Sequence, residues 1–183
     1  MAYIGVRKPY FFPVDTAHTG KYLDPMFIGK AVTFEETPNA SEATLYADDV
    51  LAESDRGVTS YTLTLGTSDI PHSVAEAMFG HTVATNVMTS NADDSPAYGG
   101  FAVIGKKQVD GEVSYEARVY PKTQWSEPGT TINTRGESTE FQTQSTSGVA
   151  MASTNGDLRY MQEFDTEAAA ITFITGKFPK QSA

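Results

Sequence analysis

The sequence of 183 residues contains no cysteine, few basic residues and no long apolar run. Without cysteine there is no disulfide scaffold, no thiol nucleophile and no cysteine-ligated zinc site, and nothing points to an oxidising compartment. No stretch approaches the roughly 18 apolar residues of a membrane-spanning helix, and the N-terminal residues lack the apolar run of a signal peptide. We therefore expect a soluble protein that is made in a cytosol-like environment.

Basic side chains are outnumbered in this chain. The 13 Lys and Arg residues stand against 23 Asp and Glu residues, which gives a formal net charge of −10. Binding to nucleic acid is driven largely by basic side chains that neutralise phosphates and release counterions. A surface this acidic repels nucleic acid and anionic membranes alike. The composition therefore excludes a sequence-specific DNA-binding protein and predicts no membrane binding.

Thr, Ser and aromatic residues are abundant, and the aromatic share is 11%. This mixture is typical of β-structure, because such side chains fit a pleated surface. The length corresponds to about one domain. Alternation of apolar and polar residues predicts strands over 31–36, 42–47, 57–65, 99–108, 112–125, 137–152 and 158–164. We predict a mainly β single domain, a β-sandwich or barrel of about seven strands with two short helices.

Turn signals divide these predicted strands. Thr37-Pro38-Asn39 is expected to end the first strand, and the second is a possible hairpin partner for it. Asp110-Gly111 is a dipeptide favoured in tight hairpins, and Asn155-Gly156 is a second such signal. The strand after Asn155-Gly156 is therefore expected to pair back on the one before it. A polar loop is expected over 91–98.

Two short helices are predicted from capping signals. Ser73 and Glu76 match the capping box, unless Pro71 takes the first helical position. Gly80 is the expected end of this helix, because glycine readily adopts the left-handed conformation that closes one. The second helix is predicted over 165–175, where an N-cap at Asp165 precedes an acidic first turn.

The first 27 residues are predicted to be irregular, because Pro9, Pro13 and Pro25 interrupt any regular element. The aromatic run Tyr10-Phe11-Phe12 must then pack against its own domain or against a neighbouring subunit, and the two alternatives stay open. The predicted organisation is an extended N-terminal arm at 1–28, a β-domain at 29–178 and a C-terminal tail at 179–183.

No residue or motif is a convincing candidate for chemistry. His18, His72 and His81 lie far apart and form no pair at metal-ligand spacing. The acidic stretches 48–55 and 93–94 lack the spacing and central glycine of an EF-hand loop, so we interpret them as solvated loops. A nucleophile elbow and a phosphate-binding loop are also missing. We predict no catalytic, cofactor or metal site, and hence not an enzyme.

Four segments, taken in order, follow the pattern of one known family. The most specific is Thr134-Arg-Gly-Glu-Ser-Thr-Glu-Phe-Gln-Thr143, which comes after the turn Ser126-Glu-Pro128. It resembles the Lys-Gly-Glu-Ser-Ile-Glu-Phe-Gln-Thr-Pro strand of the major tail protein of long-tailed bacteriophages, in the group found in phages of Gram-positive hosts. The other three resemble that family's helix ending in Leu-Gly-His, its long strand and its C-terminal helix; they are 74–82, 116–120 and 164–170.

The similarity covers roughly residues 29–178. One departure lies at Gln144–Gly148, where the family often has Pro-Thr-Leu-Glu-Gly and this chain lacks the proline. That difference puts the local strand geometry in question.

The resemblance implies a tail tube in the virion, assembled in the host bacterial cytoplasm. Hexameric rings stack into a hollow cylinder around a tape-measure protein, in contact with other tail proteins, and the DNA genome later passes through. The resemblance further implies a β-sandwich with a flanking helix, strands that join between subunits into an inner barrel, and a loop or arm that grips the next ring. The arm 1–28 and the segment 37–57 are our candidates for that grip, with packing inside the subunit as the alternative.

Two other functions stay open at this stage. A carbohydrate- or cell-surface-binding β-sandwich would suit the Ser and Thr content, with Trp125 as a sugar-stacking residue, although tryptophan is more often a core or interface residue. The inner tube protein of a contractile injection machine would share the fold and the ring. The resemblance favours the non-contractile tail.

Overall fold

The computed structural model describes residues 2–47, 50–132, 134 and 143–180, with side chains for all of them except 43–47 and 50–55. Within these ranges the chain forms ten strands and two helices. In chain order they are β1 (Ala2–Pro13), β2 (Met26–Phe27), β3 (Ala31–Ala47), β4 (Val50–Thr67), α1 (His72–Phe79), β5 (Thr82–Ala84), β6 (Val87–Thr89), β7 (Gly99–Val109), β8 (Glu112–Trp125), β9 (Gln144–Met151), β10 (Tyr160–Phe164) and α2 (Glu167–Lys177). The protein is mainly β, as its composition and alternation predict.

Eight of these strands form one antiparallel sheet, in the order β2-β1-β7-β8-β9-β4-β3, with β10 also paired to β8. Strand β8 pairs with β7 along one edge and with two partners along the other. These are β10 beside residues 115–119 and β9 beside residues 122–125. Pro121 lies where the partner changes, so its missing N–H costs no hydrogen bond of either ladder. β5 and β6 form a separate small hairpin.

The sheet curls over, and each of its faces buries a separate apolar cluster. The ring of Phe34 on β3 lies 5.8 Å from that of Phe101 on β7, although three strands separate β3 from β7 in the sheet. The inner cluster fills this curl, and α1 closes it with Val74 and Met78. On the outer face, α2 packs over β7 and β8; this second cluster includes Ala102, Ile104, Ala117, Val119, Ala170 and Ile174.

The prediction that the first 27 residues are irregular is wrong. Strand β1 lies beside β7, with a register shift between Arg7 and Tyr10. Lys8 adopts a φ of 54° in this bulge, which accommodates Pro9 without breaking the strand. Phe11 is buried in the inner cluster and Phe12 in the outer one. The aromatic run therefore packs on its own domain.

The predicted end of the next strand at Thr37-Pro38-Asn39 is also wrong. Strand β3 continues through Pro38 to Ala47, and its partner is β4. The predicted separate strand 42–47 is thus the second half of β3. Proline is tolerated because β3 is an edge strand, and a register shift between Asn39 and Ala40 absorbs the irregularity.

The predicted hairpin strands 99–108 and 112–125 are confirmed as β7 and β8. Asp110 and Gly111 have φ values of 49° and 89°, as a tight type I′ turn requires. The predicted strand 137–152 is described only as β9, because residues 135–142 lie outside the described residues. The strand after Asn155-Gly156 pairs with β8 instead of β9, so the predicted pairing back is wrong.

Both predicted helices are present, with different caps. The N-cap of α1 is Pro71 and makes no side-chain hydrogen bond, so the predicted capping box does not form. Gly80 closes α1 in the left-handed conformation, as predicted. The N-cap of α2 is Thr166, not Asp165; the Thr166 hydroxyl accepts a hydrogen bond from the Ala169 N–H. Across the described part of the chain, no helix is long and apolar enough to cross a membrane.

Candidate functional site: the β3–β4 ribbon and the free sheet edges

The outer half of the β3–β4 hairpin extends away from the apolar clusters. We call this part the ribbon and define it as residues 37–47 and 50–60, which pair with each other. Every residue of 37–42 and 56–59 is exposed, so both faces of the ribbon meet solvent there. At the usual strand rise of about 3.3 Å per residue, the ribbon is roughly 33 Å long.

Polar contacts hold the two strands of the ribbon side by side. Arg56 Nη2 donates to Glu42 Oε1 at 2.6 Å, and Asn39 Nδ2 donates to the hydroxyls of Ser60 and Thr62. Exposed ion pairs of this kind contribute only about 0–1 kcal/mol, and an isolated two-stranded hairpin is marginal in water. Because residues 37–42 and 56–59 are exposed on both faces, the described part of the ribbon buries no apolar face of its own.

Two long stretches of sheet edge are unpaired in the described chain. Strand β3 pairs with β4 on one side only, over its whole length. Strand β1 pairs with β7 on one side. On its other side, β2 covers Tyr10 and Phe11 and the Ile28 N–H donates to the Pro9 carbonyl, which leaves residues 2–8 as a second free edge. Large apolar side chains lie exposed at these edges: Tyr3, Ile4 and Val32 are 53%, 48% and 51% exposed. Such edges are templates for pairing with another chain.

A cavity of about 430 Å³ opens where the curled sheet brings β1 and β3 near each other. Its apolar walls come from Val6, Phe34 and Val103, and its polar floor includes Glu36 and Arg118. The cavity therefore lies directly beside both free edges.

A network of charged groups holds the base of the ribbon to the sheet. Glu36 on β3 is 6% exposed in its side chain and accepts hydrogen bonds from Arg118, Arg159 and Tyr120. The Arg118 Nη1 to Glu36 Oε2 distance is 2.5 Å, and the Tyr120 hydroxyl lies 2.7 Å from the same oxygen. This carboxylate therefore joins β3 to β8 and to the residue preceding β10.

The same network extends to β1 and β7 through a second buried carboxylate. Glu116 accepts hydrogen bonds from Lys107 on β7, and from Arg118 Nε and the Tyr3 hydroxyl, the last two at 2.7 Å. We call the whole set the Glu36–Glu116 network; its members are Tyr3, Glu36, Lys107, Glu116, Arg118, Tyr120 and Arg159.

Charge complementarity in this network outweighs the cost of burial. Burial alone would raise the pKa of the Glu116 carboxyl, but hydrogen bonds from Lys107, Tyr3 and Arg118 leave its pKa lowered. Burial likewise opposes the charge on Arg118, and its hydrogen bonds with Tyr3 and Glu116 leave its pKa raised. Both groups are therefore charged across the physiological range.

The three histidines are not brought together. His18 lies in an exposed loop, 2.7 Å from Asp15, and His72 lies exposed at the start of α1. His81 follows α1 as predicted, but it is buried and bonded to Asp94. Nothing in the spacing of the sequence indicates that pair, because Asp94 belongs to a loop whose path is set by tertiary packing.

A metal-type cluster and an exposed tryptophan are both missing from the described part of the chain. Among the residues described, no three His, Asp or Glu side chains are grouped so that they would hold a metal ion. Asp48 and Asp49 of the acidic stretch lie outside the described residues. Trp125 is 1% exposed, and its Nε1 donates to the Thr123 hydroxyl at 3.0 Å. It is a core residue, and its face is not available to a sugar.

Three of the four segments that carry the family resemblance lie on described helices or strands. Segment 74–82 includes most of α1 and its Gly80 cap, 116–120 lies within β8, and 164–170 leads into α2. The most specific segment, Thr134–Thr143, lies outside the described residues except at its two ends. Comparison with protein-family models and with curated proteins finds no match to this chain.

Proposed function

We propose that this chain is a structural protein of a bacteriophage virion that polymerises as stacked hexameric rings into the tail tube. Its localisation in the virion, the tape-measure protein and other tail proteins as partners, and the passage of DNA through an acidic lumen belong to the same proposal. The hexamer and these partners come from the family resemblance alone. The observation that carries self-assembly is the ribbon, a long paired hairpin that buries no described apolar face within its own subunit.

The entropy lost when the ribbon is ordered in solvent supports the view that the ribbon binds another subunit. Ordering the backbone of one residue costs roughly 1–2 kcal/mol, and apolar burial, which normally offsets this cost, is lacking at 37–42 and 56–59. The ribbon sequence also carries apolar residues near its tip, among them Leu45, Tyr46 and Leu51. Docking of the ribbon on another subunit would supply the missing burial.

The two free edges support a ring. The edge of β1 and the edge of β3 are different surfaces of one subunit, so contact between them in neighbouring copies is heterologous. Heterologous contacts generate closed rings when the rotation closes, and filaments when it does not. Ring closure would pair edges that are otherwise open to uncontrolled association.

The charge balance suits a channel for DNA. A net charge of −10 repels a polymer that carries one negative charge per roughly 1.7 Å of its axis. A basic lining would bind phosphates and slow the passage of the genome. The acidity therefore agrees with a tube that DNA crosses without binding.

Negative-stain electron microscopy across a concentration series, with light scattering alongside, tests the proposal. We expect rings or tubes of uniform width from the intact chain. In a shortened variant, residues 40–59 are replaced by Asn-Gly, which makes a two-residue turn between the paired residues Asn39 and Ser60. This variant keeps the core, so we expect normal folding and a complete loss of rings and tubes.

A matched pair of single substitutions separates docking from general charge effects. Val58 on the ribbon and Val87 on the β5–β6 hairpin are 42% and 61% exposed. Val58→Lys is expected to weaken assembly, whereas Val87→Lys is expected to leave it unchanged. An intact chain that stays monomeric at every concentration, or a shortened variant that still forms tubes, would contradict assembly through the ribbon.

A further inference from the structure

His81 is a buried titratable residue that the proposed function does not use. It directly follows Gly80 at the end of α1, and its side chain is 5% exposed. Its ring lies 5.9 Å from that of Phe79. Two carboxylates from different parts of the chain approach the two ring nitrogens, Asp94 in the 91–98 loop and Glu127 in the turn 126–129.

The contact with Asp94 anchors the 91–98 loop. His81 Nδ1 lies 2.9 Å from Asp94 Oδ2, and because a carboxylate only accepts, Nδ1 carries the proton. The same Oδ2 accepts from the backbone N–H of Asn91 at 2.9 Å. The loop is held independently by the Ala97 N–H, which donates to the Met78 carbonyl. Asp94 is therefore fixed in place whatever the state of the turn.

The contact with Glu127 is of a different kind. His81 Nε2 lies 3.4 Å from Glu127 Oε1, yet Nε2 is buried and makes no hydrogen bond within the described structure. Glu127 is 58% exposed in its side chain. If the imidazole is neutral, Nε2 presents a lone pair to a carboxylate and the two repel. If it is charged, Nε2–H points towards an acceptor, and a small movement of the exposed Glu127 completes the bond.

We propose that His81, Asp94 and Glu127 form a pH-dependent latch, in which the charged imidazole holds the turn 126–129 against the 91–98 loop and the neutral imidazole releases that turn. His81 and Glu127 line a cavity of about 260 Å³. The other ionisable groups that line this cavity are Asp69 and His72. Asp69 adds to the negative potential that favours the charged form of His81, and a charged His72 opposes it. The latch does not depend on the proposed tail-tube function.

The balance of these contacts agrees with the latch. The hydrogen bond with Asp94 raises the pKa of His81, burial lowers it by a smaller amount, and the charge of Glu127 raises it again, so the net shift is upward. A raised pKa means that the charged imidazole contributes fully below the ordinary value of about 6.5, as long as Asp94 stays ionised, and that this contribution is lost as pH rises through the folded pKa of His81. The hydrogen bond with His81 lowers the pKa of Asp94, so the latch also weakens at acidic pH, as that carboxylate becomes protonated.

The test is an NMR titration of the His81 ring nitrogens from about pH 5 to about pH 9, together with amide hydrogen exchange of the turn. In the intact chain, we expect a His81 midpoint above the ordinary value. We expect exchange at the Ser126 N–H, which donates to the Ser147 carbonyl, to become roughly threefold faster through the same midpoint after correction for intrinsic rates. This is the size expected for loss of one partly exposed ion pair.

Glu127→Gln is the decisive variant, because Glu127 is exposed and its replacement leaves the fold intact. We expect its His81 midpoint to move downward and the pH-dependent change at Ser126 to disappear. Glu112→Gln removes the same charge from the exposed first residue of β8 and is expected to change neither the midpoint nor the exchange at Ser126. An unshifted or lowered His81 midpoint in the intact chain, an unchanged midpoint in Glu127→Gln, or stoichiometric Zn²⁺ binding that replaces the proton at Nε2 would each overturn the latch.

Discussion

Removal of the Glu36 carboxylate is the sharpest test of how the ribbon is held. Glu36→Ala leaves Arg118 and Arg159 without their shared acceptor and the Tyr120 hydroxyl without its partner. The side chains of Glu36, Arg118 and Arg159 are 6%, 19% and 29% exposed. The carboxylate is thus buried, while both arginines keep some access to water.

These exposures set the expected size of the effect. Breaking a fully buried ion pair by removing one partner costs about 3–5 kcal/mol. Water at the two arginines screens part of that loss, so we expect roughly 2–3 kcal/mol. For a chain of this length, each kcal/mol lowers the melting temperature by about 2–4 °C. The expected fall is therefore about 4–12 °C, measured by calorimetry or circular dichroism.

Glu35→Ala is the matched control for this experiment, because Glu35 is the adjacent carboxylate on β3 and is exposed. It changes the net charge by the same amount and is expected to alter the melting temperature by less than about 2 °C. Glu36→Gln keeps the side-chain shape and one acceptor oxygen, so its fall in melting temperature is expected to lie between those of Glu35→Ala and Glu36→Ala. Equal melting temperatures for Glu36→Ala and Glu35→Ala would refute the argument that the network secures the ribbon.

Two further predictions concern the core and the pH dependence of stability. A Cβ at Gly148 would lie 2.6 Å from Cδ2 of the buried Trp125, so Gly148→Ala is expected to lower the free energy of unfolding by about 1–3 kcal/mol in a denaturant titration. Gly57→Ala, where a Cβ meets nothing within 4 Å, is its control, and an equal loss in both variants would argue against overpacking. The second prediction uses urea denaturation of the intact chain and of Asp94→Asn at a series of pH values. Because the pKa of His81 is raised, the intact chain is expected to lose stability relative to the variant as pH rises through that pKa. If the urea midpoints of both proteins changed in parallel with pH, the coupling between His81 and Asp94 would be contradicted.

Much of the fold was predictable because it depends on local patterns. The strands β7 and β8 are long, alternate clearly and share the Asp110-Gly111 turn, so register and turn chemistry agree. The end of α1 at Gly80 follows from the conformational freedom of glycine at a positive φ of 80°. The class of fold follows from these elements and from the abundance of residues that suit a pleated surface.

The errors arise where tertiary context overrides a local signal. Proline is usually a reason to end a strand, but Pro9 lies in a bulge and Pro38 on an edge strand, where a missing N–H costs little. The partner of β10 was predicted wrongly because the sequence does not reveal that β8 offers one edge to two strands. The cap of α1 differs for a similar reason: Pro71 begins the helix without any side-chain hydrogen bond.

The candidate site was only partly accessible to sequence reasoning. Segment 37–57, a candidate for the contact with the next ring, includes most of the ribbon, but the length and pairing of the ribbon depend on β3 passing through Pro38. The Glu36–Glu116 network could not be predicted from spacing, because Glu36 lies 82 residues before Arg118 and 123 residues before Arg159 in the chain. Charged residues at alternating strand positions normally indicate a solvated face. Here Glu116 and Arg118 instead point into the curl of the sheet.

In the proposed assembly, the position of that network would link the stability of the subunit to docking of the ribbon. Glu36 lies on the last described stretch of β3 that still contacts the sheet interior, and every residue from Thr37 to Glu42 is exposed. A rigid base would lower the entropy that the ribbon loses in the proposed docking, so that binding energy would not be spent on orienting it. Hydrogen bonds constrain direction as well as position, so the buried charged network would hold the ribbon more rigidly than apolar side chains in the same place. On this argument, a loosened base weakens assembly even where the isolated subunit stays folded.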